Sequence, residues 1–233
     1  MTSTRPAAAV TRTRRTNSHV GSPVADDGAR ERILDAAIEL FALHGLHGMS
    51  LQMLANEVGL HKSSLFHHFS DKDALAAACL ERMLNRLLPV VAPLNADDGT
   101  HIDVMVHAFE AIADHFSRHP TAALFLMRCL VGGKDRIQDE SDAEVPQVFE
   151  FFAAVSGWLD RARRAGAIRP IRVRHGLVNL MGLVLFYPSI AGGFGKGLLG
   201  FDPTSTRAAK ARREELGALV RGALAPIARK SGA

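Results

Sequence analysis

Four rings stand in a row at Phe66, His67, His68 and Phe69, inside the stretch LHKSSLFHHFSDK of residues 60–72. Such a row admits three chemistries: a metal site, a pair of catalytic imidazoles, or a surface made to meet another molecule. A metal needs its ligands on one face. His61, His67 and His68 have no Cys or carboxylate support, and adjacent helical side chains point apart, so no metal site is expected there. His115 and His119, spaced i, i+4, could clamp a metal, with His101 and His107 nearby. No acid or thiol ligand is fixed beside them, and they read as solvent-facing helix residues. Gly195-Lys196-Gly197-Leu198-Leu199-Gly200 spells G-x-G-x-x-G. That fingerprint has meaning only between a strand and a helix. Here an apolar helical run precedes it and Phe201-Asp202-Pro203 follows, so a flexible interhelical loop is expected. No nucleophile with its base, metal set or cofactor loop is found. The expectation is a protein without catalytic residues, metal or cofactor, and not an enzyme.

The elements that must position these residues are helical. Nearly half of the 233 residues are apolar, 47%, which is enough for a real core. Net charge is a mild +4, so where the basic residues sit matters more than their sum. The two cysteines, Cys79 and Cys129, form no C-x-x-C pair and read as reduced thiols of a cytoplasmic protein. Residues 1–27 lack the apolar run of a secretory signal and read as a disordered arm. Arg5, Arg12, Arg14 and Arg15 would suit loose phosphate contact, and an inert tail fits as well. Residues 176–195 are uncharged for the length of a membrane span, but Asn179, Pro188 and Gly192-Gly193 interrupt them. An all-round apolar helix buried between protein neighbours is the preferred reading.

Strand signals are almost absent, and apolar periodicity near 3.6 recurs. Helices are expected over 29–44, from Ser50 to Val58, from His61 or Lys62 to Phe69, and over 71–88, with Pro89 and Pro93 as its stop. Longer ones follow at roughly 100–118, 121–131, 143–166, 173–191 and 204–228, with the charged 134–144 as a solvated loop. The fold class is all-α. A three-helix helix-turn-helix unit, 28–75, precedes a larger helical body, 76–233.

Two short helices joined at Gly59-Leu60 make a helix-turn-helix. Steps of about 100° set Leu65 and Phe69 against Leu54, Ala55 and Val58. Ser63, Phe66 and His67 then fall on the opposite arc, with Lys62 at its edge. Hydroxyl, imidazole and ammonium groups on one arc suit base edges and phosphates in a major groove.

Residues 30–75, RERILDAAIELFALHGLHGMSLQMLANEVGLHKSSLFHHFSDKDAL, resemble the DNA-binding domain of the TetR family of transcriptional regulators. The resemblance carries the elements R-x-x-I-L-x-A-A-x-x-L-F, then G and S, then L-A-x-x-x-G, then a ring-x-His-Phe run, then K-x-x-L. It implies a homodimer reading a near-palindromic double-stranded DNA operator, released by a small effector held in an apolar pocket of the body. By position it assigns DNA contacts to Ser50, Gln52, Lys62, Ser63, Ser64, His67, His68 and Lys72. Phe66 and His61 belong to the same set as departures. Phe66 replaces the usual Tyr and its phenolic hydroxyl, and His61 replaces the usual capping Ser or Thr. Each change weakens binding or capping by on the order of 1 kcal/mol.

The effector pocket is expected among Phe109, Phe116, Phe125, Phe152, Trp158 and Tyr187, whose stripes hold few charges and suit an apolar ligand. The last two helices fit the family's dimer-forming bundle. Leu177, Leu180, Met181, Val184 and Leu185 would form one apolar face, and Leu216, Leu219, Val220 and Leu224 the other.

Overall fold

The computed structural model describes residues 23–132, 145–191 and 195–226, and among them there are ten helices and no strand. Three expected segments lie wholly or partly outside: most of the basic arm, the charged 134–144 and Gly192-Gly193. Helix α1, Pro23–Gly48, starts inside the span assigned to the arm. It buries Ile33, Leu34, Ala37, Ile38, Phe41 and Ala42 along one stripe and breaks at Gly45, where φ is 74°. Helices α2, Leu51–Val58, and α3, Lys62–His68, follow.

Helix α4, Lys72–Ala96, links this unit to the body. Asp71 opens it, its Oδ1 accepting from the N–H groups of Asp73 and Ala74, both at 2.8 Å. The expected stop at Pro89 is overturned: the helix runs through Pro89 and Pro93 to Ala96. A proline removes one donor and leaves the carbonyl four residues back without its partner. Both prolines lie on the exposed side of α4, where water can take up the orphaned carbonyls. The helix ends where other elements supply donors. Arg161 donates through Nε to the Asp97 carbonyl at 3.0 Å and through Nη2 to the Leu94 carbonyl. Trp158 Nε1 donates to Asp97 Oδ1 at 2.8 Å. Gly99 follows at φ 91°, and any side chain there would collide with the Ala162 backbone.

The body comprises α5, Ile102–Arg118; α6, Pro120–Gly132; α7, Pro146–Arg164; α8, Val173–Ala191; α9, Gly195–Leu199; and α10, Thr206–Leu224. Helix α4 packs chiefly on α7, α5 on α10, and α6 on both α1 and α8. One apolar core therefore runs from Ile33 to Leu224 without a gap between the two units. The stacked pair Phe41–Phe125, 5.8 Å between centroids, marks the α1–α6 part of that joint. The short α9 falls within the G-x-G-x-x-G letters, which correct from flexible loop to a helical turn.

Helix α8 continues past Pro188, whose missing donor orphans the Val184 carbonyl. Arg212 of α10 fills the gap: its Nη2 donates to Val184 O at 2.8 Å and Leu183 O at 3.0 Å. Its guanidinium lies 4.2 Å from the Tyr187 ring centroid. Burial lowers the Arg212 pKa to about 10, which leaves it charged at neutral pH. No helix among the described residues is long and apolar enough to cross a membrane.

Candidate nucleic-acid interface

The helix-turn-helix is set by local chemistry. Ser50 caps α2, its Oγ accepting from Met53 N–H at 3.2 Å. Gly59, at φ 68°, ends α2 in the left-handed conformation that glycine adopts without strain. The Leu60 N–H then returns to the Ala55 carbonyl at 2.9 Å. Helix α3 starts at His61, which makes no side-chain cap, and buries Leu65 and Phe69 beneath it. What remains outward is an arc of His61, Lys62, Ser63, Phe66 and His67, all exposed. Phe66 is 48% exposed with the Lys62 ammonium 6.0 Å from its ring centroid. An exposed phenylalanine beside an ammonium suits contact with thymine methyls and backbone phosphate.

Several expected contacts sit differently. Ser64 and His68 are half-buried at the edges of the arc, and the His68 ring lies 6.3 Å from Phe69. Gln52 is exposed and donates one Nε2–H to Asn56 Oδ1 at 3.0 Å, which leaves its Oε1 and second N–H for a nucleic acid. Lys72 is half-buried, with Nζ 3.4 Å from the Met49 carbonyl and 3.5 Å from that of His47. It fastens the start of α4 to the turn between α1 and α2. From the other side Arg128 of α6 reaches Leu43 O at 3.4 Å. Lys72 thus holds the turn after Gly45 and Arg128 the stretch of α1 before it. Arg30 was missed by the reading of motif residues: its guanidinium lies 5.4 Å from the Phe69 centroid and adds a cation beside α3. Its signal was the leading arginine of the R-x-x-I-L element.

Residues 33–79 match the family model described as bacterial regulatory proteins, tetR family. The chain is 26% identical over 149 residues to the HTH-type transcriptional regulator RutR of Escherichia coli (strain K12), covering 63% of this chain and 67% of that one. It is 24% identical over 123 residues to an HTH-type transcriptional regulator of Staphylococcus aureus (strain USA300), 53% of this chain and 64% of that one. In fold it resembles reduced E. coli NemR, at TM-score 0.56 and 21% identity over 86% of this chain and 99% of that one. A TetR-like transcriptional regulator from Rhodococcus sp. RHA1 is similar at TM-score 0.55 and 20% identity, over 83% and 94%. A helical fold whose N-terminal unit is a helix-turn-helix with this motif defines a DNA-binding transcriptional regulator. Residues 33–79 thus carry the TetR-family DNA-binding motif.

Four of the six aromatic residues expected to line a pocket are buried and two are half-buried. Phe109, Phe116, Phe125 and Trp158 are buried at 3% exposure or less, packed in the common core. Phe152 and Tyr187 are half-buried, Phe152 edge-on to Phe151 and Tyr187 under Arg212. Of the residues expected to pair two copies, Leu219 stays outward and the others are drawn inward. Leu180, Val184, Leu185, Leu216, Val220 and Leu224 are buried within the single chain, and Leu177 and Met181 pack against its core. Outward stand Val178, Leu183 and Phe186 on α8 and Leu219 on α10, with Leu198 and Phe201 beside them. Because α8 is apolar all round, its periodicity could not say which side its own chain would cover.

Proposed function

We propose that the chain is a homodimeric repressor of the cytoplasm that binds a near-palindromic operator and is released by a small effector. The observation that carries this reading is the outward arc of Lys62, Ser63, Phe66 and His67 on a capped, glycine-turned helix-turn-helix. In a dimer, two such helices enter successive major grooves about 34 Å apart. His61, Ser64, His68, Ser50 and Gln52 would then border the groove, and Lys72 would set its depth through the turn it holds. The exposed apolar side chains of α8 and α10 support pairing, since a face carrying Val178, Phe186 and Leu219 is costly to leave in water.

An apolar effector would enter the aromatic body by parting α7 from α4 and α8, where Phe151 and Phe152 are only half-buried. By linkage, a ligand preferring that opened body weakens operator binding by the factor that DNA weakens ligand binding. No step of this requires catalysis. The test is fluorescence anisotropy with DNA from around the protein's own gene, across a salt series. One fragment should bind above random DNA, with affinity falling steeply with salt. His67→Ala should cost about 1 kcal/mol, roughly a fivefold loss. Equal, weak binding to every fragment by both proteins would overturn the proposal.

A further inference from the structure

A polar cleft lies where the DNA-binding unit meets the body, away from both the outward arc of α3 and the aromatic core. Its volume is about 120 Å³, room for several waters or a small ion. Helix α1 contributes Asp35 and Glu39, α4 Arg82 and Arg86, the end of α5 His115 and His119, and α6 Thr121. The two histidines singled out by their spacing thus face a cavity rather than bulk solvent.

The charges around it are unequally engaged. Arg82, 11% exposed, is tied to Glu31 and Asp35, each at 2.7 Å, yet its Nε is buried without a partner. Arg86 has only a loose contact to Glu31 at 3.9 Å and is half-exposed. The imidazoles of His115 and His119 lie 5.0 Å apart between centroids. His119 also stands at the break between α5 and α6, beside Thr121. Either a metal cation or an anion could be asked of such a set. Burial, with His119, Arg118 and Arg86 next in order, holds the His115 pKa down at about 4. Arg82 Nε, buried without a partner, and the loosely held Arg86 guanidinium both have donors to spare, which favours an anion over a metal.

We propose that the cleft binds a small oxyanion, a phosphate or short carboxylate, between the Arg86 guanidinium and the imidazoles of His115 and His119. Arg82 Nε supplies a further donor. A bound oxyanion stabilises the imidazolium form, so binding tightens as pH falls from neutrality and His115 takes up a proton. Glu39, which has no ion pair among the described residues, opposes the ligand and keeps the site weak. Engaging Arg86 also draws it from Glu31 of α1, which places the ligand on the joint that carries α2 and α3.

The test uses histidine side-chain NMR of the full chain, with inorganic phosphate and with succinate, ionic strength held constant with chloride. His115→Gln and His119→Gln assign the two signals. The expected result is saturable movement of both, tighter at lower pH, with affinity reduced at least about fivefold, near 1 kcal/mol, in Arg86→Ala. The arm that saturates at lower concentration identifies the ligand as phosphate or carboxylate. The same spectrum reports the helix-turn-helix surface through His67 and His68. Movement of those signals alone, or equal affinity in a folded Arg86→Ala, would overturn the proposal whatever the outcome of operator binding.

Discussion

The Val184 carbonyl shows how a single side chain can repair a helix. Pro188 takes away its donor, and Arg212 supplies another from α10. Arg212→Leu should leave that carbonyl buried and unpaired, destabilising the fold by about 1–3 kcal/mol in urea melts. Arg212→Lys, which can still reach one carbonyl, should recover part of the loss. Asp97 makes the second residue-scale prediction. Burial works to raise its pKa, but hydrogen bonds from Trp158, the Gly99 N–H and His101 override that and hold it below the usual carboxylate range. A depressed carboxylate stabilises the fold above its unfolded pKa and loses that contribution as pH falls through the folded one. Acid unfolding monitored by circular dichroism should therefore steepen below about pH 4. Asp97→Asn should be less stable at neutrality and flatter in that acid range.

At the scale of elements, the helix-turn-helix was legible because its instructions are local. Ser50 and Asp71 cap within three residues, Gly59 turns on itself, and Leu65 and Phe69 follow one helical stripe. Helix α4 was cut short in the reading because Pro89 signals a stop by an absence of bonding. Whether that absence matters depends on which side of the helix meets water, and sequence does not carry this. Pro89→Ala should restore one backbone hydrogen bond on that exposed side, and a raised melting temperature by calorimetry is expected. A lowered one would mean that the packing of α4 on α7 needs the bend. The cleft at the α1–α4–α5–α6 joint was beyond reach for a different reason. His115 and His119 announced a pair, but Asp35, Arg86 and Thr121 reach it from three other helices. Aromatic spacing likewise placed Phe109, Phe116, Phe125 and Trp158 on inward faces without saying whether those faces close on atoms or on space.

Val178, Leu183, Phe186, Leu198 and Leu219 stand exposed on α8, α9 and α10, besides Leu43, Val131 and Phe149 elsewhere, and the outward basic and aromatic arc lies on α3. A dimer built on the α8, α9 and α10 side chains presents two copies of that arc. Phe186→Glu should therefore give a monomer by sedimentation velocity. It should also lower operator affinity far more than His67→Ala does, because it removes the avidity of two half-sites rather than one contact. A dimer that persists with Phe186→Glu would move the interface elsewhere on the surface.

The bond from Trp158 to Asp97 has a further use. Trp158 is the chain's single tryptophan, fully buried at the seam of α4 and α7. Its emission is consequently a one-residue optical gauge of that seam, with no label to attach and no second indole to subtract. A ligand that parts α7 from α4 will redden it as water arrives, whereas one seated in the cleft beside His115 will leave its colour alone. Two kinds of ligand could thus be told apart in a cuvette before either is identified.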